Sequence, residues 1–285
     1  MRRTCIVTDP TAQFPKHKAG WQEFVKVLPI SFMEENLAPR STQQTLPSLV
    51  DESYPLESHL SSGNDQKLKA FLAELAYEYQ QVLFLLPTKT LFPSFELVTQ
   101  TLQQMNLPTV FDIIDSRSLG YGLGWLVQTC SIVLAKRENF NEVKRLLYHK
   151  IPHIYTLTYL PNLSNLGCSK ILDPDQAFIG DFLGIRPLVL LENDQIVPYQ
   201  KTRSFKNVVD SIIEYADEFN RIEYVGLHFG NSIGINERKN LQSRLQSTLA
   251  QNTIDSQVMS PYLNRILGDQ SISVVLIESD RKHEI

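Results

Sequence analysis

The first half of the chain alternates short apolar runs with stretches of helical periodicity. Apolar and β-branched runs predict strands at residues 5–8, 24–32, 81–86 and 110–115. Apolar positions three and four apart predict helices at residues 66–79, with Asn64 or Asp65 as N-cap, and at residues 92–105 and 125–136. Residues 33–64 have no clear period and are expected to form mostly loop. This alternation predicts an N-terminal domain built on a parallel sheet.

The second half has a different order of elements. Strands are predicted at residues 154–159, 186–191, 195–198, 222–229 and 271–277, and helices at residues 205–219 and 236–250. A hairpin is expected around Glu192-Asn-Asp194, which points to a mixed sheet. Pro152 follows a short predicted helix at residues 140–147, and we place a domain boundary there. The expected fold class is α/β, with an N-terminal domain at residues 1–152 and a C-terminal domain at residues 153–285.

Three alternating glycines follow the strand predicted at residues 110–115 and open the next helix. Gly120, Gly122 and Gly124 give the spacing G-x-G-x-G, whereas a dinucleotide site requires G-x-G-x-x-G and an acidic residue about 20 residues further on. Neither requirement is met clearly. We therefore favour close packing of this helix over a nucleotide site.

Composition narrows the class of protein. Of 285 residues, 42% are hydrophobic and 20% are charged, which is typical of a folded chain with a normal core. The 27 basic and 31 acidic residues give a net charge of −4, which offers no electrostatic reason to expect nucleic acid binding. No apolar run approaches the roughly 18 residues of a membrane span. Cys5, Cys130 and Cys168 are widely spaced and odd in number, which favours a reducing, cytoplasmic location.

Histidines are the first candidates for chemistry. His149 and His153 have the i,i+4 spacing of a metal site, but Pro152 interrupts the helix and no third ligand is nearby in sequence. His228 ends a predicted strand, where it is either a buried structural residue or, with a nearby serine, the base of a hydrolase. The chain has neither a Gly-x-Ser-x-Gly elbow nor a Gly-Lys-Ser/Thr phosphate loop. No metal and no cofactor are expected.

Two groups of hydroxyls are the other candidates. Ser61 and Ser62 precede a predicted helix, and Thr88 and Thr90 follow the strand at residues 81–86. In a parallel sheet both groups lie at strand carboxyl ends or helix N-termini, where ligands collect. They could hold a carboxylate without a lysine or arginine, or they could simply cap their loops.

Several motifs occur in the order found in one bacterial family. They are Ile6-Val-Thr-Asp9-Pro-Thr11-Ala, Val27-Leu-Pro-Ile, the Asp-Ser strand with its glycine-rich helix start, Tyr155-Thr-Leu-Thr-Tyr-Leu160, and Leu183-Gly-Ile-Arg-Pro-Leu with Ile196–Lys206. Together they cover residues 4 to about 277, and in this order the chain resembles the DegV family of fatty-acid-binding proteins.

The resemblance implies two α/β domains that enclose one fatty acid. It implies that loop hydroxyls hold the carboxylate and that the acyl chain lies in an apolar tunnel of the C-terminal domain. Some members present the fatty acid to a separate kinase. Carried over to this chain, the resemblance assigns ligand binding to Asp9, Thr11, Ser61, Ser62, Thr88 and Thr90, and partner binding to Lys201 and Arg203.

The chain also departs from the family pattern. The two loops that carry the hydroxyls contain fewer hydroxyl side chains than the family pattern has. The usual Gly-Gly-Arg is replaced by residues 163–169, which contain no arginine. The usual His-Gly-Pro-Gly is replaced by residues 265–271, in which Arg265 is the candidate to supply the lost charge to the ligand. These losses argue against kinase-dependent acyl phosphate chemistry. An apolar cavity is unaffected by them, because it needs only shape and non-polar walls.

The sequence therefore predicts a non-catalytic carrier or sensor of a fatty acid or similar acyl lipid, located in the cytoplasm. The main alternative is a family member whose pocket is filled by side chains and which acts as a regulatory or interaction protein. A hydrolase based on His228 is the third hypothesis.

Overall fold

The computed structural model of the chain describes residues 2–16, 21–29, 62–136, 139–169, 171–192 and 194–279. Ser61 and most of the loop predicted at residues 33–64 lie outside these residues, as do residues 30–32 of the second predicted strand. The side chain of Ser62 is also outside them.

A four-stranded sheet, sheet A, forms the N-terminal half. Its strands are β1 (Arg2–Thr8), β2 (Val25–Val27), β3 (Tyr79–Leu86) and β4 (Val110–Asp115). They lie in the order β2-β1-β3-β4, and all the pairs are parallel, which confirms the predicted parallel sheet. β2 is shorter than predicted: a 3-10 turn at Gln22–Phe24 precedes it, and Pro29, which has no N–H to donate, follows it closely.

Within the described residues, four helices cover the two faces of sheet A. They are α1 (Ser62–Glu78), α2 (Ser94–Gln104), α3 (Gly120–Ala135) and α4 (Phe140–Lys150). α1 and α2 pack on one face and α3 and α4 on the other. The predicted N-caps of α1 are wrong, because the helix begins at Ser62 and Asp65 lies in its first turn, 2.7 Å from Lys69 Nζ.

A six-stranded mixed sheet, sheet B, forms the second half. Its strands are β5 (Ile154–Tyr159), β6 (Arg186–Glu192), β7 (Gln195–Thr202), β8 (Ile222–Phe229), β9 (Ile254–Val258) and β10 (Ile272–Glu278). In the order β7-β6-β5-β10-β8-β9, only the pair β8–β9 is parallel. The predicted mixed sheet is therefore confirmed, and so is the hairpin between β6 and β7.

Five helices of the described part of the chain accompany sheet B. They are α5 (Ser164–Cys168), α6 (Pro174–Phe182), α7 (Phe205–Asp217), α8 (Ile235–Thr248) and α9 (Pro261–Leu267). α7 and α8 pack with Leu188 and Leu190 of β6, while α5, α6 and α9 pack with Val189 and Leu191, which alternate with them along the strand. Among the helices of the described ranges, none combines the length and the apolar character that crossing a bilayer requires.

Helix α3 lies between the two sheets and contacts both of them. Its cluster joins Ile6 and Leu85 of sheet A to Val275 and Ile277 of sheet B. α3 is buried on nearly all sides, as its continuous apolar sequence requires. The boundary near Pro152 stays a prediction, although sheet A ends at Asp115 and sheet B begins at Ile154.

Candidate ligand-binding site

A narrow apolar cavity lies where the loops of sheet A meet sheet B. Its free volume is about 20 Å³, which is room for roughly one water molecule. Its walls come from the loop after β3, from strands β5, β6 and β7, and from helices α5 and α9. The lining residues are Leu91, Phe92, Leu119, Thr156, Thr158, Leu160, Leu166, Ile171, Val189, Leu190, Leu191, Ile196, Leu263, Ile266 and Leu267.

The polar groups in this wall are two threonines of β5. Thr158 Oγ1 and Ser273 Oγ, both buried, lie 2.9 Å apart and share a hydrogen bond across β5 and β10. Thr156 is also buried. Because none of the described residues that line the cavity is charged, this wall suits an apolar chain better than an ion.

The loop after β3 brings the predicted hydroxyls Thr88 and Thr90 to the rim of the cavity. Their two oxygens lie 3.3 Å apart, and Thr88 is completely buried. The main-chain N–H groups of Leu91 and Phe92 both donate to the Thr88 carbonyl, which folds the loop into a tight turn and points these two residues into the cavity.

Both hydroxyls bond to the hairpin of sheet B. Thr88 Oγ1 donates to Asp194 Oδ1 at 3.3 Å, and Thr90 Oγ1 donates to the main-chain carbonyl of Asp194. Arg117 Nε lies 3.9 Å from Asp194 Oδ2. Asp194 therefore belongs to the site, and sequence reasoning missed it because it lies 106 residues beyond Thr88.

A second group of polar side chains is buried at the end of β1. Thr11 N donates to Asp9 Oδ1 at 2.8 Å, and burial raises the pKa of Asp9 above its ordinary value. The hydroxyls of Thr11 and Ser94 face this carboxyl. Asp9 Oδ2, Thr11 Oγ1 and Ser94 Oγ have no hydrogen-bond partner among the described residues, so this cluster could accept a polar group.

The end of β4 adds residues that the sequence reasoning passed over. Ser116 and Ser118 are buried, and Ser118 O accepts from Thr88 N at 3.2 Å. Burial raises the pKa of Asp115, and the nearby Asp194 carboxylate raises it further. The signal for these residues was present, since they follow a predicted strand directly, as Asp9 and Thr88 do.

The glycines of α3 allow its close approach to neighbouring backbone. A Cβ on Gly124 would lie 2.0 Å from the carbonyl oxygen of Gln13, and one on Gly120, whose φ is +56°, would lie 2.6 Å from His228. The glycines therefore serve packing, as we expected.

His228 is buried and stacked on Tyr121, with ring centroids 4.0 Å apart. Burial lowers its pKa to about 3, so the ring is neutral at pH 7. Its register partner Ser273 uses its hydroxyl on Thr158, and His228 Nε2 has no hydrogen-bond partner among the described residues. This geometry does not activate a serine and favours the structural interpretation of His228.

The other predicted residues are not among those that line the cavity. Arg265 is half-buried in the last turn of α9, and it is not one of the lining residues, whereas its neighbours Leu263, Ile266 and Leu267 are. Lys201 and Arg203 are exposed at the end of β7. His149 and His153 come close, with ring centroids 5.8 Å apart, but no group of three metal-ligating side chains forms within the described part of the chain.

Comparison with known proteins identifies the family to which the chain is similar. The model of the family described as "Uncharacterised protein, DegV family" matches residues 3–279. A fatty acid-binding protein of Thermotoga maritima is 21% identical over 178 residues, 60% of this chain and 61% of that protein. The chain thus spans about three fifths of that relative's length in the match.

Solved structures share the fold over almost the full length. A fatty acid binding DegV family protein of Streptococcus agalactiae has a TM-score of 0.76 at 17% identity, covering 98% of this chain and 100% of that chain. The fatty acid kinase B3 protein of Streptococcus pneumoniae, solved with linoleic acid, has a TM-score of 0.69 at 14% identity, covering 97% and 100%. With the family model matching nearly every residue, the chain belongs to the DegV family.

Proposed function

We propose that this protein binds a long-chain fatty acid or a similar acyl lipid between its two halves, as a carrier or sensor without catalysis. The observation that carries the proposal is the cavity itself, which has apolar walls and a rim of hydroxyls at the carboxyl ends of parallel strands. The names of two relatives, a fatty acid-binding protein and a protein loaded with linoleic acid, support it.

The polar residues at the strand ends suit a head group. Thr88 and Thr90 lie next to the lining residue Phe92, and the cluster of Asp9, Thr11 and Ser94 retains unused polar atoms. Ser61 and Ser62 keep their proposed role, which the described residues do not address. Hydroxyls can hold a carboxylate by hydrogen bonds alone. Each hydrogen bond to a charged acceptor contributes roughly 1.5–3 kcal/mol to the binding free energy.

The small volume supports a second candidate. A cavity of about 20 Å³ is far below the roughly 300–1,000 Å³ of typical ligand pockets. An acyl chain can enter only if Leu91, Phe92 and the hairpin move. If they do not move, the pocket is filled by side chains, and the protein acts through its surface as a regulatory or interaction protein.

Partner binding is a separate part of the proposal. Lys201 and Arg203 are exposed on both sides of the buried Thr202 and are available to a partner. A fatty acid kinase is the candidate partner, because one relative is named for that enzyme. We expect weak acyl phosphate chemistry, since the lining residues in the described ranges include no cationic side chain and Arg265 is not one of them. The cytoplasmic location stays a prediction.

The test combines extraction with a blocked cavity. Purified protein is denatured and extracted, the extract is examined for acyl chains by mass spectrometry, and refolded or delipidated protein is tested for fatty-acid uptake. Val189→Phe fills the cavity, and Val197→Phe makes the same change on the exposed side of the same hairpin. We expect uptake by wild type and V197F, with affinity for V189F at least about tenfold weaker, because displaced methylenes cost roughly 0.8 kcal/mol each.

Circular dichroism establishes that both variants are folded. If wild-type protein yields no acyl chain and takes none up, the proposal is wrong and the filled-pocket candidate replaces it. If V189F binds as tightly as V197F, the acyl chain lies elsewhere.

A further inference from the structure

Asp194 uses both of the threonine hydroxyls that the proposed function assigns to the head group. Each hydroxyl has a single proton to donate: that of Thr88 goes to the Asp194 carboxylate and that of Thr90 to the Asp194 carbonyl. A ligand carboxylate accepts no proton from this pair while the contact lasts. Asp194 thus presents to the loop the chemical group that a fatty acid would present.

The contact also lies over the cavity. Asp194 sits in the turn between β6 and β7, and Glu192 pairs with Gln195 at the base of that turn. The next pair along the hairpin, Leu191 and Ile196, lines the cavity. Across the rim, Leu91 and Phe92 follow Thr90 directly and line it as well. Lifting the turn from the loop therefore opens the cavity wall on two sides.

Charge acts in the same direction. Burial raises the pKa of Asp115 and the nearby Asp194 carboxylate raises it further, while the Arg117 side chain close to Asp194 is largely exposed. A third carboxylate arriving at the same hydroxyls adds repulsion that is relieved only when Asp194 moves away. Ligand binding and hairpin docking compete for the same donors and oppose each other electrostatically.

We propose that Asp194 is a gating residue, whose docking on Thr88 and Thr90 and the binding of an acyl carboxylate exclude each other. This inference rests on the proposed function and names the residue that sets its affinity. Asp194 has φ +64°, a conformation that asparagine and glycine also adopt readily. Asp194→Asn and Asp194→Gly therefore remove the charge, or the whole side chain, without disturbing the turn.

The experiment measures binding of cis-parinaric acid by fluorescence at pH 7 for wild type, D194N and D194G. Glu192→Gln is the matched control, because it removes one negative charge from the same hairpin and touches neither threonine. We expect D194G to bind about tenfold more tightly than wild type, which corresponds to about 1.4 kcal/mol. D194N should lie between them and associate faster than wild type, and E192Q should match wild type.

Hydrogen exchange gives a second measurement. In wild type, added fatty acid should speed exchange of the main-chain amides at residues 194–196, because the turn that contains Asp194 separates from Thr88 and Thr90. If wild type binds fatty acid and both D194N and D194G bind it with the same affinity and association rate, the gating role is overturned. The proposed function then remains intact. Absence of binding in all four proteins overturns the proposed function, and the gating role with it.

Discussion

The contact between Thr88 and Asp194 makes a measurable contribution to the stability of the ligand-free protein. Thr88→Val keeps the shape of a fully buried side chain and removes its proton, so the Asp194 carboxylate loses a donor. Hydrogen bonds to charged groups contribute roughly 1.5–3 kcal/mol. The distance of 3.3 Å is longer than the usual 2.7–2.8 Å for O–H···O, which places this one at the low end. We expect the free energy of unfolding to fall by about 1–1.5 kcal/mol.

Urea unfolding of T88V, D194G and the double variant isolates the pair, because glycine leaves no side-chain oxygen to accept from Thr88. A coupling free energy of about 1 kcal/mol is expected between the two positions, because the double variant loses one interaction and not two. Thr101→Val is the control, since this hydroxyl is also buried but donates at 2.8 Å to Leu97 O within its own helix. Coupling near zero would refute the contact and remove the basis of the gating role.

Three further predictions concern two substitutions and one kinase assay. Gly124→Ala should lower the free energy of unfolding by about 1–3 kcal/mol, because the new Cβ would lie 2.0 Å from Gln13 O. This loss is expected although alanine has a higher helix propensity than glycine. Thermal unfolding measures the change, and a stabilised variant would contradict it. Burial raises the pKa of Asp9 in the folded state, so its carboxyl destabilises the protein increasingly as pH rises above the ordinary aspartate value. Asp9→Asn should therefore raise stability at pH 7, with a gain that disappears towards pH 3–4; a gain that is equal at both pH values would show another cause. With a fatty acid kinase and ATP, the loaded protein should yield acyl phosphate roughly a hundredfold more slowly than a typical family member, because the cavity lining that the structure describes has no cationic side chain. Equal turnover would point to Arg265.

The sequence predicted the elements whose signal is local. β3 is apolar from Val82 to Leu86 because both faces of that part are covered, and β8 was predicted with its exact bounds. β9 was missed, since Ile-Asp-Ser-Gln-Val has too few apolar residues to show a period; its strand forms through parallel pairing with β8. The helices α5, α6 and α9 are short and depend on packing around the cavity.

The candidate site was predicted only in part, because a local sequence pattern identifies its loops but not the contacts between distant loops. The hydroxyls after β3 follow from the position of ligands in parallel sheets, whereas Asp9 and Thr11 after β1 were implied by the family resemblance. The contacts of these hydroxyls depend on how the two sheets meet, which no local pattern encodes. Thr88 was expected to face a ligand, and it bonds to Asp194 of the distant hairpin. The small free volume depends likewise on Leu91 and Phe92 filling the space.

The position of α3 between the sheets restricts how the protein can move. Rotating the sheets apart would bring Tyr121 into water, a fully buried side chain of α3 that stacks on His228 of sheet B with ring centroids 4.0 Å apart. Hinge opening between the halves is therefore disfavoured, and exchange of a ligand must proceed through local motion at the rim. A shared central helix also couples the melting of one sheet to that of the other, so calorimetry should record a single heat-absorption peak for the whole chain, and neither half should fold when expressed alone.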